Sequence, residues 1–404
     1  MSRGTAKVSI KRKIYYTVSG IKTVLSYILE CFIKRDKNIY LSGCNFIEIN
    51  KEMFNYNTKY FFLYMSQNHP EIKFYWLCDD KEMLKEFNKR GYKNVISRNS
   101  LKGIWAILKA KYWFCDIDPK QVTLFNHASS KACLINFWHG AGRLKKVHYD
   151  NPDYKPNYFK RKFKKWYDYV VINGDIERAS RKSAFRLKDS QIVVLGSPRC
   201  DVLYKDIPDS EIFMEKDFYN IKKMKEDGKF IILYTPTFRE TGKDISGWLK
   251  SEKLLNLLKE YNAVLVCKLH PRDENSLDFD LPNEIYRVEP KSDAYPLLRY
   301  ADMMIADFTS IYYDYLLSDK PILFYVPDLD EYLAQCREFY EPHQNQAPGA
   351  YTKNEDEMFE ALEDILNGND KYKNDRKRLR DLTYKYQDGN NCKRIYEFIK
   401  GLDK

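Results

Sequence analysis

From Asn38 onward, short apolar runs alternate with longer stretches of mixed character. NIYLSG, FYWLC, NVIS, KYWFCD, ACLINFWHG, YVVIN and QIVVLG each suit a strand buried in a sheet. The stretches near Glu52 to Gln67, Lys81 to Arg90 and Asp175 to Phe185 suit helices between them. This βαβ rhythm fills one doubly wound α/β domain to about residue 197. After the charged, irregular region Asp206 to Lys229, a second series runs through FIILYTP, AVLVCKLHP, EIYRV, DMMIADFTS and PILFYVP. The pattern predicts a basic segment at 1–37, Rossmann-like domains at 38–205 and 206–388, and a C-terminal helix at 389–404 that returns to brace the first domain. Strand after strand ends in a polar motif, and open α/β sheets bind ligands outside the carboxyl ends of their strands. The chemistry is therefore expected between the two domains.

Ahead of the first strand, Ile14, Val18, Ile21, Leu25, Ile28 and Phe32 recur at spacings of three and four, so they share one helical face. Lys22 and Glu30 interrupt the run and count against a spanning helix. Lys11, Arg12, Lys13, Lys34 and Arg35 flank it. The segment suits an amphipathic helix lying in an anionic membrane surface, or one packed on its own domain. A second basic run, KPNYFKRKFKKWY from Lys155, interleaves Phe159, Phe163 and Trp166 with Lys and Arg and suits an anion-facing or membrane-facing helix, or a solvated basic face.

Composition narrows this picture. With 404 residues, 44% hydrophobic and 31% charged, the chain has apolar material for two cores and too much for disorder. The balance of 68 Lys+Arg against 57 Asp+Glu, a formal +11, favours an anionic partner. The basic residues form no helix-turn-helix, zinc or RNP pattern, which sets nucleic acid aside. Nine Cys without a C-x-x-C pair suggest neither a disulfide framework nor a zinc ribbon, and point to a reducing compartment. The opening MSRGTAKVSIKRK leads into a long mixed segment without a small-residue cleavage site, so no signal peptide is expected and the mature chain is expected to begin here.

Candidate chemistry sits at the strand ends. FWHGAGRLKK puts His139 after an apolar run, followed by Gly140 and then by Arg143, Lys145 and Lys146. Glycines let a backbone approach a phosphate, cations offset its charge, and a histidine exchanges protons near neutral pH. A strand-end histidine hydrogen-bonded in a turn is the plain alternative. KLHPRD places His270 and Pro271 at the corresponding point of the second series, suited to acid–base work or to donation to a phosphate oxygen. DFTSIYYDYL puts Asp307, Thr309 and Ser310 where a helix starts, as caps or as diphosphate ligands. YTPTFRE supplies Thr235, Thr237 and Arg239, and GSPRCD supplies Ser197, Arg199 and Asp201, with the arginines able either to meet phosphate with two bonds or to join the domains by salt bridges. Asp116 and Asp118 in CDIDP have a D-x-D spacing that can hold a divalent cation. No metal is expected there, because helix termini, Arg and His can neutralise a diphosphate.

Together these motifs resemble the CDP-glycerol glycerophosphotransferase family, which primes or polymerises teichoic acids and related phosphate-linked capsules. The resemblance runs from LSGCNFIEIN and HPEIKFYWLCDDKE through WHGAGRLKK, GSPRCDVLY, TPTFRE and KLHP to ADMMIADFTSIYYDYLLSDKPILFYVPDLDEY and the later PGA. It implies a GT-B architecture, two Rossmann-like domains facing across a cleft, with nucleotide held mainly by the second. It further implies that His139 and His270 match the family's two essential histidines, and that Asp307, Thr309 and Ser310 match its D-[YF]-[ST]-S segment. AGRLKK departs from the family's usual Thr-Pro after WHG, which bears on acceptor geometry.

The implied reaction is attack by an acceptor hydroxyl on the glycerol-bearing phosphorus of CDP-glycerol, with CMP leaving and no cofactor. His139 is the implied base. Thr237, Arg239, Pro271, Asp307, Thr309 and Ser310 are the implied donor ligands, and Gly140, Arg143, Lys145, Lys146, Arg199 and Asp201 the acceptor or phosphate ligands. The two histidine roles can be exchanged. The acceptor would be lipid-linked or polymeric, at the cytoplasmic face of the bacterial cell membrane, with the chain bound peripherally. A chain of this length looks closer to priming or capsule-type members. CDP-ribitol or a nucleotide sugar such as CMP-sialic acid could use the same cleft, and a non-catalytic polyanion- or membrane-binding protein would share the composition.

Overall fold

The structure is a computed structural model that describes residues 28–29, 31–43, 45–46, 51–119, 122, 131–154, 167–237, 239, 247–269, 281–335 and 338–403. The N-terminal amphipathic segment lies outside the described residues except at its end, and the basic run at 155–166 lies outside them entirely. Fifteen strands are described: β1 (Asp36–Ser42), β2 (Asn45–Phe46), β3 (Lys51–Glu52), β4 (Lys73–Leu77), β5 (Val95–Ile96), β6 (Ala110–Cys115), β7 (Cys133–Asn136), β8 (Tyr169–Ile172), β9 (Ile192–Val194), β10 (Phe230–Thr235), β11 (Ala263–Cys267), β12 (Ile285–Arg287), β13 (Met303–Ala306), β14 (Ile322–Tyr325) and β15 (Ala350–Thr352). They form a seven-stranded sheet in the order β5-β4-β1-β6-β7-β8-β9, a six-stranded sheet in the order β12-β11-β10-β13-β14-β15, and the small pair β2-β3.

Both large sheets are parallel throughout. Each is doubly wound, its strand order turning back at one point, between β1 and β6 in the first and between β10 and β13 in the second. Helices cover both faces, which is why strands such as AVLVC and ILFY are buried at every position and read as unbroken apolar runs.

Local signals set the helix ends. The helix Tyr56–Asn68 has no cap from its own N-cap side chain. Asp116, at the end of β6, caps it instead, accepting from the Asn57 and Thr58 N–H groups at 3.1 and 3.2 Å and from the Thr58 hydroxyl at 2.6 Å. Burial raises this carboxyl to about 6 against the pull of those Thr58 bonds. The C-terminal helix Asn391–Leu402 packs on the first half: Asp201 accepts from the Asn391 and Cys392 N–H groups, each at 2.9 Å, and Tyr112 donates to Asp403 at 2.6 Å.

The two halves meet at a buried ion pair. Arg199, in the turn after β9, is fully buried, and its guanidinium donates to both oxygens of Asp314 at 3.0 to 3.3 Å. Tyr295 and Tyr384 each donate to the same carboxylate at 2.7 Å. Burial alone would lower the Arg199 pKa, but Asp314 more than reverses this, so the guanidinium stays charged. A second tie joins Lys59 to Asp293 at 2.9 Å, with Tyr60 donating to that carboxylate at 2.7 Å. Asp314→Leu, which strands a buried guanidinium and two hydroxyls, is expected to lower unfolding free energy by about 3–5 kcal/mol, whereas Arg199→Met with Asp314→Leu together should cost less than the sum of the single changes. Urea unfolding of the three variants measures this, and strict additivity would contradict it.

Candidate functional site

Two loops meet where the carboxyl ends of the sheets face each other. The first follows β7, whose last residue, Asn136, is polar in an otherwise apolar strand. Asn136 accepts from the Trp138 N–H at 2.6 Å, and the Trp138 carbonyl accepts from Asn57 Nδ2 at 2.6 Å and from Arg199 at 3.2 Å. Trp138 is held at φ 55°, a left-handed conformation that a non-glycine residue adopts only when its surroundings fix it. Its ring stacks within 5.5 Å of the Arg181 guanidinium and packs edge-on against Phe185. His139 follows directly, its ring 4.4 Å from that of Trp138.

The rest of this loop is held by a charged pair on and just before the helix Arg178–Phe185. Arg181 donates to the carbonyls of Gly140 and Gly142 at 3.1 and 2.9 Å. Glu177 accepts from the Gly142 N–H at 2.5 Å and from the Asn173 N–H at 2.9 Å. Both side chains are buried, and burial raises the Glu177 pKa while lowering that of Arg181. Gly142 sits at φ 69°, and a Cβ there would come within 2.5 Å of the Tyr313 ring, so only glycine fits.

The second loop follows β13. Asp307, buried, accepts from the Thr237 N–H at 2.9 Å, from the Thr237 hydroxyl at 2.7 Å and from the Thr309 N–H at 3.1 Å. Arg239 pairs with Asp307 at 2.8 Å and with Asp328 at 2.7 Å, and its guanidinium lies 5.0 Å from the Phe308 ring. Thr309 Oγ1 accepts from the Ile311 N–H at 3.4 Å at the start of the short helix Ile311–Tyr315. A Cβ on Gly140 would lie 3.2 Å from Ser310 Oγ, so the His139 loop and the Ser310 loop touch across the two halves. The Ser310 hydroxyl makes no hydrogen bond among the described residues, which leaves it available to a ligand.

The segments 143–146 and 338–341 tie the same edge together. Arg143 pairs with Glu341, Lys146 with Glu338 at 2.6 Å, and Lys145 stacks 5.3 Å from the Tyr332 ring. The Lys146 N–H donates to the Glu338 carbonyl at 2.8 Å and the Tyr340 N–H to the Leu144 carbonyl at 3.1 Å.

The structure thus gathers His139, Gly140, Thr237, Asp307, Thr309 and Ser310 at one edge, and gives several expected phosphate ligands other tasks. Arg199 is a buried interdomain ion pair and Asp201 a helix cap, so neither faces a phosphate. Arg239 is neutralised by two carboxylates and shapes the loop. Arg143 and Lys146 are bound to glutamates across the seam. His270 and Pro271 lie outside the described residues. Among those residues, no group of three or more His, Cys, Asp or Glu is placed to hold a metal ion.

Sequence reasoning missed Glu177, Arg181, Asn57 and His343. His343 is buried under the second loop, its ring 5.2 Å from Phe308 and 5.3 Å from Phe339, with Nδ1 3.1 Å from the Tyr351 hydroxyl. The only sequence signal was a histidine among aromatic residues.

Two parallel, doubly wound halves with a polar site between their carboxyl edges define the GT-B fold. The sequence matches, over residues 31–401, the family described as CDP-glycerol:poly(glycerophosphate) glycerophosphotransferase, and the chain belongs to that family. It is 27% identical over 386 residues to the teichoic acid poly(glycerol phosphate) polymerase of Bacillus subtilis (strain 168), covering 89% of this chain and 50% of that protein. It is 29% identical over 303 residues to the teichoic acid ribitol-phosphate polymerase TarL of Staphylococcus aureus (strain NCTC 8325 / PS 47), covering 72% of this chain and 52% of that one. The chain spans about half the length of these curated relatives. A solved structure of the wall teichoic acid polymerase TagF is 18% identical and matches the fold with a TM-score of 0.71 over 98% of this chain and 100% of that one.

Burial holds the His343 pKa down, from 6.5 to about 4, with Asp307 opposing the shift and Lys145 adding to it. Between pH 6.5 and 4 the unfolded chain therefore binds a proton that the folded chain refuses. Stability from this site is complete above pH 6.5 and falls as pH drops toward 4, by roughly 3 kcal/mol in all. Melting temperatures across that range should fall less in His343→Phe than in the wild type, and parallel profiles would contradict the assignment.

Proposed function

We propose that the chain transfers glycerol phosphate from CDP-glycerol to a hydroxyl of a membrane-linked or polymeric acceptor, releasing CMP, in teichoic acid or capsule-type polymer synthesis. The observation that carries this is the contact between the His139 loop and the Ser310 loop, in a chain of this family. The acceptor hydroxyl attacks the glycerol-bearing phosphorus, a new P–O bond forms, and the bond to the bridging oxygen breaks with CMP as leaving group. His139, fixed by the strained Trp138, takes the hydroxyl proton. Ser310 and the N–H groups of its loop face the donor, and His270, expected just beyond β11, stabilises charge on the diphosphate.

The site works at the cytoplasmic face of the cell membrane, on a lipid-linked or polymeric acceptor. No divalent metal is proposed at Asp116, whose carboxylate caps a helix. Among the relatives are both glycerol-phosphate and ribitol-phosphate polymerases, so the donor polyol is the point to test. Purified protein with membrane extract is expected to release CMP from CDP-glycerol, with or without EDTA, and not from CDP-ribitol or CMP-sialic acid. His139→Ala should lower that rate at least about 100-fold. Release from CDP-ribitol alone would move the donor, and an undiminished His139→Ala rate would remove the base.

A further inference from the structure

We infer that the indole N–H of Trp138 is a catalytic donor, which with the Ser310 hydroxyl seats oxygens of the phosphoryl group under transfer. The identity of that group rests on the transfer proposed above. The Trp138 indole makes no hydrogen bond among the described residues. The indole nitrogen of Trp113 likewise lacks an acceptor there but is sealed from water, and that of Trp138 is not sealed. Trp138 as a whole is only 6% exposed, so its N–H opens into a confined space at the seam and not onto the outer surface. A large ring held out of water ordinarily finds a partner for its polar atom. Here that partner is left to a ligand.

The placement says which ligand. A Cβ on Gly140 would lie 3.7 Å from Trp138 Nε1 and 3.2 Å from Ser310 Oγ, so two donors, one from each half, meet beside a residue with no side chain to fill the gap. An indole N–H can only donate, so the occupant of this point brings an acceptor. Donors converging from opposite halves match a phosphoryl group, whose oxygens accept in several directions at once. The carboxylate of the second loop, Asp307, is already bound by Thr237, Thr309 and Arg239, and so does not repel an incoming phosphate as a bare charge would. The indole is also fixed before any ligand arrives. His139, His148 and Phe185 pack on it with ring centroids at 4.4, 5.5 and 4.9 Å. Its backbone is the one held at φ 55°. Strain and a donor without an acceptor coincide in the residue before His139, and such outliers gather where function requires them. A donor already aimed at the site of developing charge needs no reorganisation during the reaction.

The test reads the N–H itself. In the ¹⁵N-labelled full chain each of the 6 tryptophans gives one indole N–H signal by NMR, and that of Trp138 is assigned by its loss in Trp138→Phe. It should move downfield on adding CDP-glycerol and on adding inorganic pyrophosphate, and stay in place with cytidine, which has no phosphate. Trp138→Phe keeps a ring and loses the N–H, so CMP release from CDP-glycerol should fall about 100-fold at the wild-type melting temperature. A signal unmoved by both phosphorylated probes, or moved as far by cytidine, would overturn the inference, as would undiminished release by Trp138→Phe. A signal that pyrophosphate moves, in a protein that releases no CMP, would retain the phosphoryl seat and set aside the proposed transfer. Ser310→Ala leaves the indole in place and keeps the test open should Trp138→Phe not fold. It is expected to weaken pyrophosphate binding several-fold, and unchanged affinity would overturn the shared seat.

Discussion

The site depends on one buried charge pair. Arg199 and Asp314 come from opposite halves, have no access to water, and satisfy one another with help from Tyr295 and Tyr384. Such a pair contributes little net stability beside an apolar replacement, but it tolerates little displacement, because a shift of either half leaves a charge unpaired in a low dielectric. Arg199 also donates to the Trp138 carbonyl, and Asn57 bridges the same carbonyl and the Arg199 N–H. The bond that holds the halves together thus sets the residue before His139.

Around that seam, charges are used to shape backbone. Arg181 and Glu177 bind the carbonyls and N–H of a loop that no sheet ladder satisfies, and Asp307 does the same for the loop opposite. The strained φ of Trp138 and the glycine at 142 are sustained by these contacts. At the meeting point stand His139 on one side and the Ser310 hydroxyl on the other. That arrangement suits phosphoryl transfer, where positioning and electrostatics supply most of the catalysis.

The fold was legible because parallel strands covered on both faces appear as apolar runs, and thirteen strands form two such sheets. The strand Ala350–Thr352 escaped notice because three residues carry no period, and the pair Asn45–Phe46 and Lys51–Glu52 is shorter still. At the site, His139 and Asp307 to Ser310 stood out because polar residues ended apolar strands. For Arg199 and Arg239 the sequence left two readings open, phosphate ligand or salt bridge, for a definite reason. An arginine at a strand end looks the same whether it meets a phosphate or a carboxylate 115 or 89 residues away. Glu177 and Arg181, four apart on a helix, resemble an exposed pair until Gly142 is folded against them.

In the proposed reaction this edge directs an acceptor hydroxyl onto the glycerol-bearing phosphorus of the donor. Supplying CDP-glycerol labelled with ¹⁸O at the oxygen bridging the two phosphorus atoms, and weighing the CMP released, tests it directly. Full retention of label in CMP is expected. Label found instead in released glycerol phosphate, with CMP unlabelled or joined to the acceptor, would mean that the other phosphorus is attacked, and would contradict it.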